Sequence, residues 1–219
     1  MNVNLISVTK SFLPEIEDLT AEELIVYIAR VSNPSNQLNK DTSEKLIAYL
    51  VKNRHWSPFE MVDMTVEIVT SRAIAQQILR HRSFSFQEFS QRYAKVTEIE
   101  PIQLRKQAEK NRQSSSDTFD PTLGHEEETA SEVIKTHLDA SQELYTVLIA
   151  HGVAKECARM VLPLSTQTRI YMKGSVRSWI HYLQIRCDEH TQLEHREIAN
   201  LIRDIFSEEF PAISNALEL

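Results

Sequence analysis

The chain has 219 residues, 31 Asp and Glu against 24 Lys and Arg, a formal net charge of −7 and 42% apolar content. Such a chain can bury an ordinary core, read here as one domain over 1–219, and is too acidic for general affinity to nucleic acid or anionic membranes, which reward a net basic surface. Its three glycines, Gly124, Gly152 and Gly174, exclude both a GxGxxG fingerprint and a phosphate-cradling P-loop, and Cys157 and Cys187 form no CxxC pair, so neither a disulfide framework nor a cysteine zinc site is indicated.

No apolar run approaches the roughly 20 residues that span a bilayer, and "MNVNLISVTK" has no basic start followed by a long apolar segment, so a soluble, cytoplasmic protein is expected. Residues 3–8, "VNLISV", suit a first strand. Thr20 and Glu23 have capping-box spacing at the start of a helix in "TAEELIVYIARVS". A second helix is predicted at about 42–53, with Leu46, Ile47, Leu50 and Val51 on one face and Pro58 closing the segment. "VDMTVEIVT" alternates Val62, Met64, Val66 and Ile68 against Asp63, Thr65 and Glu67, the pattern of a half-buried strand. Ser71 can cap the helix "RAIAQQILRHR", whose Ile74, Ala75, Ile78 and Leu79 face inward and whose C-terminal end, favourable for cations, carries Arg80 to Arg82.

Residues 112–127 hold turn formers and little apolar content, so they are read as a long surface loop. A long helix is predicted at about 128–150, with Ala130, Val133, Ile134, His137, Leu138, Leu144 and Leu148 on its apolar side and Gly152 just beyond; His137 is read as a hydrogen-bonded core histidine. "KECARMVLP" is a short helix stopped by Pro163, and "STQTRIYMKG" is a second alternating strand with Thr168, Ile170 and Met172 on one face. Ser175 then caps a helix with Val176, Trp179, Ile180 and Leu183 at helical spacing, and Arg186 lies about 20° around the axis from Trp179. The last helix, about 191–209, packs through Ile198, Ile202, Ile205 and Phe206. Many helices and few strands suggest α+β, a helix-rich single domain packed on a small, mostly antiparallel sheet.

Residues 80–93, "RHRSFSFQEFSQRY", concentrate the chemistry. Arg80, Arg82 and Arg92 each offer a planar fork that matches phosphate bidentately, and Ser90 and Gln91 can add donors, while Phe84, Phe86, Phe89 and Tyr93 prefer cover. The alternative for these arginines is a solvated helix end followed by a loop, and for Arg186 an ion pair with Asp188 or Glu189 or a stem that snorkels past Trp179 to water. Cys187 lies beside two carboxylates that should raise its thiol pKa, and Cys157 is read as a small buried hydrophobe, so a cysteine nucleophile is disfavoured. "HTQLEH" gathers His190, Glu194 and His195 without the spacing of a helical zinc triad, and no metal site is expected.

"RHRSFSFQEFS" is R-H-R, seven residues and Ser, and so resembles the flavin-dependent thymidylate synthases. "ARVS" at 29–32, "HWSPFE" at 55–60, "ARMVLPLSTQTR" at 158–169 and "RSWIHYLQIRCDEHTQLE" at 177–194 resemble the other blocks of that family, in the same order. The resemblance implies a homotetramer with FAD between subunits, methylating dUMP to dTMP with 5,10-methylenetetrahydrofolate as carbon donor and NADPH as reductant. It implies FAD contacts at Ser32, Ser57, Arg80, His81, Arg82, Glu88, Ser175, Arg177 and His181. The dUMP pocket it implies holds Gln77, Arg80, Glu88, Phe89, Ser90, Gln91, Arg92, Arg159 and Arg186, with Arg186 in the catalytic position and His55 on the flavin and folate side.

Several positions depart from the commoner pattern: Gln87 for Asn, Phe89 for Leu, Gln91 for a small residue, Met61 for His, and Ser175 and His181 for Asn. Two rival functions are a non-catalytic nucleotide or single-stranded RNA binder using the arginine and aromatic patch, and an enzyme with a cysteine nucleophile.

Overall fold

The computed structural model describes residues 1–95, 98–124 and 128–219. Its centre is a four-stranded antiparallel sheet in the order β1 (Asn2–Val8), β2 (Asp63–Ser71), β8 (Gln167–Ser175), β3 (Ser85–Glu88). The predicted alternation holds in the two central strands. Met64, Val66 and Ile68 of β2 lie opposite Gly174, Met172 and Ile170 of β8, and all are buried. The opposite face is polar and tied across strands, with Lys173 paired to Asp63 at 2.7 Å and Tyr171 donating to Glu67 at 2.8 Å. An extra residue in β1 between Leu5 and Ser7 shifts its register, a bulge on an edge strand.

Helices cover the apolar face. α1 (Ala21–Ala29) starts in the predicted capping box, where Thr20 Oγ1 accepts from the Glu23 amide and the Glu23 carboxylate accepts from the Thr20 amide. α2 (Ser43–Lys52) buries Ile47 and Leu50. α3 (Arg72–Ile78) is capped by Ser71 and is shorter than predicted, so Arg80 and Arg82 lie in the turn beyond its end. α6 (Val176–Arg186), capped by Ser175, buries Trp179, Tyr182 and Leu183, and the Trp179 indole donates to the Met64 carbonyl at 3.0 Å. α7 (Leu193–Glu209) adds Ile198, Ala199, Ile202 and Phe206. A further helix, α8 (Pro211–Leu217), lies beyond the predicted elements. Pro211 begins it at a position where the missing N–H costs nothing. The buried Glu22 carboxylate of α1 accepts the amides of Ala212 and Ile213 at 3.1 and 2.7 Å, capping α8 from across the molecule. Among the described residues no helix is long and apolar enough to cross a membrane.

Two expectations are corrected. Residues 112–127 are not a plain loop: β5 (Ser115–Thr118) pairs with β4 (Arg105–Gln107), and β6 (Thr122–Leu123) with β7 (Glu128–Thr129), while 125–127 lie outside the described residues. Ser and Thr satisfy a ladder without the apolar alternation that marks a half-buried strand, which is why the pattern is silent there. The long helix, α4 (Ala130–Ala150), forms with a second capping box at Thr129 and Glu132, and Gly152 follows at φ 83°. Its apolar stripe, however, is largely uncovered by this chain: Ala130 and Tyr145 are buried, Leu144 is 48% exposed and His137 is exposed rather than in a core. The sheet face is already occupied by α6 and its neighbours, so α4 packs mainly against α5 (Lys155–Ala158), the short turn after it and β7.

One glycine is required by contact. A Cβ on Gly174 would stand 2.5 Å from Phe84 Cδ1, and the Phe84 ring is itself wedged at 4.6 Å from the Trp179 ring. We predict that Gly174→Ala destabilises the fold by about 1–3 kcal/mol through overpacking, measured by urea unfolding; a midpoint equal to the parent's would show that Phe84 has room to move.

Candidate active site

Phe84 is the buried foot of the turn between α3 and β3, and seating it over Gly174 brings the preceding residues against α6. Of the four aromatics read as wanting cover, only Phe84 is buried; Phe86 is half-buried, Phe89 and Tyr93 are exposed. His81 stacks edge-on against Tyr182 with ring centres 4.9 Å apart. Its Nε2 accepts a hydrogen bond from Arg186 Nε at 2.9 Å. Arg186 is the last residue of α6 and is partly buried, as its angular distance from Trp179 implies. The ion pair with Asp188 or Glu189, one of the two alternatives for this residue, does not form. The Asp188 carboxylate instead accepts from the His190 amide and Nδ1 at 2.8 and 2.7 Å. Among the described residues Arg186 has no carboxylate partner.

The surroundings keep Arg186 the local cation. Burial, and then the Arg186 charge, hold the His81 imidazole down at about 4 and the His195 imidazole at about 3. His195 is fully buried on α7, with Nε2 accepting from the Tyr182 hydroxyl at 3.1 Å and Nδ1 donating to Gln77 Oε1 at 3.3 Å. The motif "HTQLEH" therefore scatters its members: His190 goes to Asp188, His195 to Tyr182 and Gln77, and Glu194 to Arg105 at 2.5 Å.

A second group assembles on the outer face of α6. Glu60, at the end of the short turn Ser57–Glu60, accepts from Ser175 Oγ at 2.6 Å and from Arg177 at 2.7 Å, and the Ser175 bond is the main reason its carboxyl lies below the usual range. Arg177 and His181 line a cleft of about 370 Å³ with Trp56, Glu60 and Ser83. A third group lies at the outer edge of the sheet, where Glu88 accepts from Thr168 Oγ1 at 3.0 Å and Phe89 and Ser90 border a concavity of about 360 Å³ with Tyr93, Arg169 and Tyr171.

Ser32 is exposed, on a loop organised by the buried Arg30, which donates to Asn36 O at 3.2 Å and Thr42 Oγ1 at 2.8 Å. His55 and Ser57 are exposed. Arg80, Arg82 and Arg92 are exposed, and no ion pair joins them to a described residue. Arg159 is half-buried, its Nε donating to the Glu156 carbonyl at 3.4 Å. Gln91 is 97% buried rather than presented on the surface: Oε1 accepts from Arg72, and Nε2 has no partner among the described residues. A single copy of the chain thus joins Gln77 and His81 to the Arg186 corner, and leaves the three arginines of 80–92 open to an anion. Guanidinium groups without acidic partners, in a chain with an excess of acids, are a donor set that fits phosphates.

Sequence reasoning missed Tyr182, Gln192, Arg72 and Arg105, and gave His195 no role. His195 was recoverable, since 195, 198, 199, 202 and 206 are all buried positions of one helical stripe. The cysteine readings change. Cys157 is exposed, not a buried hydrophobe, and the Cys187 thiol is pushed up chiefly by burial, not by Asp188 and Glu189.

The family model described as Thymidylate synthase complementing protein, Thy1, matches residues 16–212. The chain belongs to this family. It is 54% identical over its whole length, and the relative's, to the flavin-dependent thymidylate synthase of a Synechocystis species. To the probable flavin-dependent thymidylate synthase of Paramecium bursaria Chlorella virus 1 it is 52% identical, covering 100% of this chain and 99% of that one. The flavin-dependent thymidylate synthase of Thermus thermophilus is more distant, at 34% identity over 95% of this chain and 76% of its own. Among solved structures, a UMP/dUMP methylase PolB from Streptomyces cacaoi bound with 5-Br dUMP superposes with TM-score 0.79, covering 99% of this chain and 94% of that one at 24% identity. At that identity the likeness is one of fold.

The two depressed imidazoles predict an acid-sensitive Thy1 fold. Both histidines stay neutral when folded but take protons near 6.5 when unfolded, so the stability they contribute is complete above about 6.5 and is lost as pH falls toward about 4. Urea midpoints should drop between neutral pH and pH about 5, less steeply in His81→Asn, where one of the two proton-binding differences is gone. Parallel pH profiles for parent and variant would contradict this.

Proposed function

We propose that residues 1–219 form a single flavin-dependent thymidylate synthase domain that methylates dUMP to dTMP, with FAD as cofactor, 5,10-methylenetetrahydrofolate as carbon donor and NADPH as reductant. It works as a cytoplasmic homotetramer. The observation that carries the reading is Arg186, unpaired by any described carboxylate and aimed by a neutral His81. Full-length identity above one half to a relative of that name supports it.

Uracil carbon 5 becomes nucleophilic when negative charge develops over N3, C4 and O4, and a fixed cation in a water-poor pocket stabilises that charge. Arginine is too weak an acid to give up its proton, so Arg186 acts electrostatically. His81, accepting from Nε, leaves the terminal N–H groups of Arg186 for the pyrimidine. Gln77, Glu88, Phe89, Ser90, Gln91, Arg92 and Arg159, with Arg80, are the proposed nucleotide contacts, the arginines meeting the phosphate. Ser32, Ser57, Arg80, His81, Arg82, Glu88, Ser175, Arg177 and His181 are the proposed flavin contacts, with His55 nearby. When bound, FAD supplies the hydride-transfer chemistry that side chains lack. Arg177 enters this role already bonded to Glu60, so its remaining N–H groups are what it offers a ligand.

Two measurements test the proposal. Purified protein reconstituted with FAD should show a flavin spectrum that bleaches anaerobically with NADPH, and should form dTMP from dUMP and methylenetetrahydrofolate; failure to take up flavin refutes it. Arg186→Ala should lower the rate of dTMP formation by about 10²-fold or more while retaining bound flavin and the oligomer. Normal turnover in that variant removes the catalytic assignment.

A further inference from the structure

An unbroken run of side-chain hydrogen bonds leads from the β4–β5 hairpin to the Arg186 corner. Arg105 of β4 donates to Glu194 Oε1 at 2.5 Å, Gln192 Nε2 donates to Glu194 Oε2 at 2.9 Å, and Gln77 Nε2 donates to Gln192 Oε1 at 2.6 Å. Beyond Gln77, its Oε1 accepts from His195 Nδ1 at 3.3 Å, and His195 Nε2 accepts from the Tyr182 hydroxyl at 3.1 Å.

Amides and imidazoles can each be turned end for end, so such a run has two possible directions unless one end is fixed. Here it is fixed. A carboxylate only accepts, and Glu194 is kept a carboxylate: burial pushes it up, but the bonds from Arg105, its own backbone amide and Gln192, with the Arg105 charge, together outweigh that and hold it below its ordinary range. With Glu194 an acceptor, Gln192 must turn its NH2 toward it and its oxygen toward Gln77. Gln77 must then donate to Gln192 and accept from His195, and His195 must carry its proton on Nδ1. Arg105 is itself steadied by Ser115 of β5, to which its Nε donates at 2.8 Å.

We propose that Arg105 and Glu194 are positioning residues for the pyrimidine pocket. Their ion pair sets the direction of the whole run, so that Gln77 meets the substrate in one amide orientation, with one free N–H and one free lone pair. The hairpin containing residues 112–118, remote in sequence from every family block, is thereby a working part of the site. The functional half of this inference rests on the reading of Gln77 as a dUMP contact.

Histidine tautomers report the direction without reference to catalysis. In protein carrying ¹⁵N-labelled histidine, the His195 resonances, assigned by their loss in His195→Gln, should show a proton on Nδ1 and a bare Nε2. Glu194→Gln removes the fixed acceptor, and should shift His195 toward the Nε2–H form and raise KM for dUMP about tenfold with kcat little changed. Arg105→Lys, which keeps a cation opposite Glu194, should retain the parent tautomer and KM. If Glu194→Gln fails to fold, Gln192→Met interrupts the run at an exposed position and should give the same two changes. A proton on Nε2 in the parent, a tautomer unmoved in the interrupted variants, or a moved tautomer with unaltered KM each overturns the inference. A parent that forms no dTMP overturns the functional reading instead, and the tautomer measurement still judges the run.

Discussion

The site depends on a ring lying on a backbone. Phe84 occupies the space that any side chain at position 174 would fill, and Trp179 and Tyr182 close around it, 4.6 and 5.9 Å away between ring centres. Burying one phenylalanine is a general driving force of about 1.5–3 kcal/mol. Here it acts on a turn with no other apolar anchor in residues 80–83, and so dictates that His81 faces α6 while Arg80 and Arg82 face solvent. The chemistry of the arginines is thus arranged by a hydrophobic contact, made possible by one of three glycines in the chain.

Electrostatics then sort the charged residues by place. On the outer face of the sheet and around the α6 cleft, acids are consumed locally: Asp63 by Lys173, Glu67 by Tyr171 and Arg169, Glu60 by Ser175 and Arg177. Exposed pairs of this kind add little stability. What they do is engage these carboxylates locally, while Arg80, Arg82 and Arg92 stay exposed with no ion pair to a described residue. Inside, histidines are kept neutral: with His81 and His195 uncharged, neither sets a second positive charge beside Arg186.

Much of the fold was legible because its signals are local. Both central strands, their inward residues, the capping box at Thr20 and the caps at Ser71 and Ser175 follow from spacing and residue type. The misreadings come from information that spacing lacks. Periodicity on α4 identifies an apolar side but not what covers it, so a stripe can be real and still be bare in one copy of the chain. Hairpins built from Arg, Ser and Thr carry no alternation to find. In the site, the candidate list came from family blocks, and the blocks are what a motif can show; the bond between Arg105 and Glu194 joins positions 89 residues apart and leaves no trace in either neighbourhood. Gln91 directly follows the strongest block and is nonetheless buried, its side-chain oxygen accepting from Arg72, 19 residues earlier in the chain.

The clasp of Glu22 on α8 has a consequence for how the protein is made. The buried carboxylate of the first helix finds its amide partners only 190 residues later, and β2 must wait for β8, whose partners lie 96 to 112 residues downstream, before its apolar residues are covered from both flanks. Contacts of such long sequence separation slow folding. A ribosome emitting this chain therefore exposes an unsealed half-sheet until β8 has left the exit tunnel, and the Glu22 clasp closes only after α8 has followed.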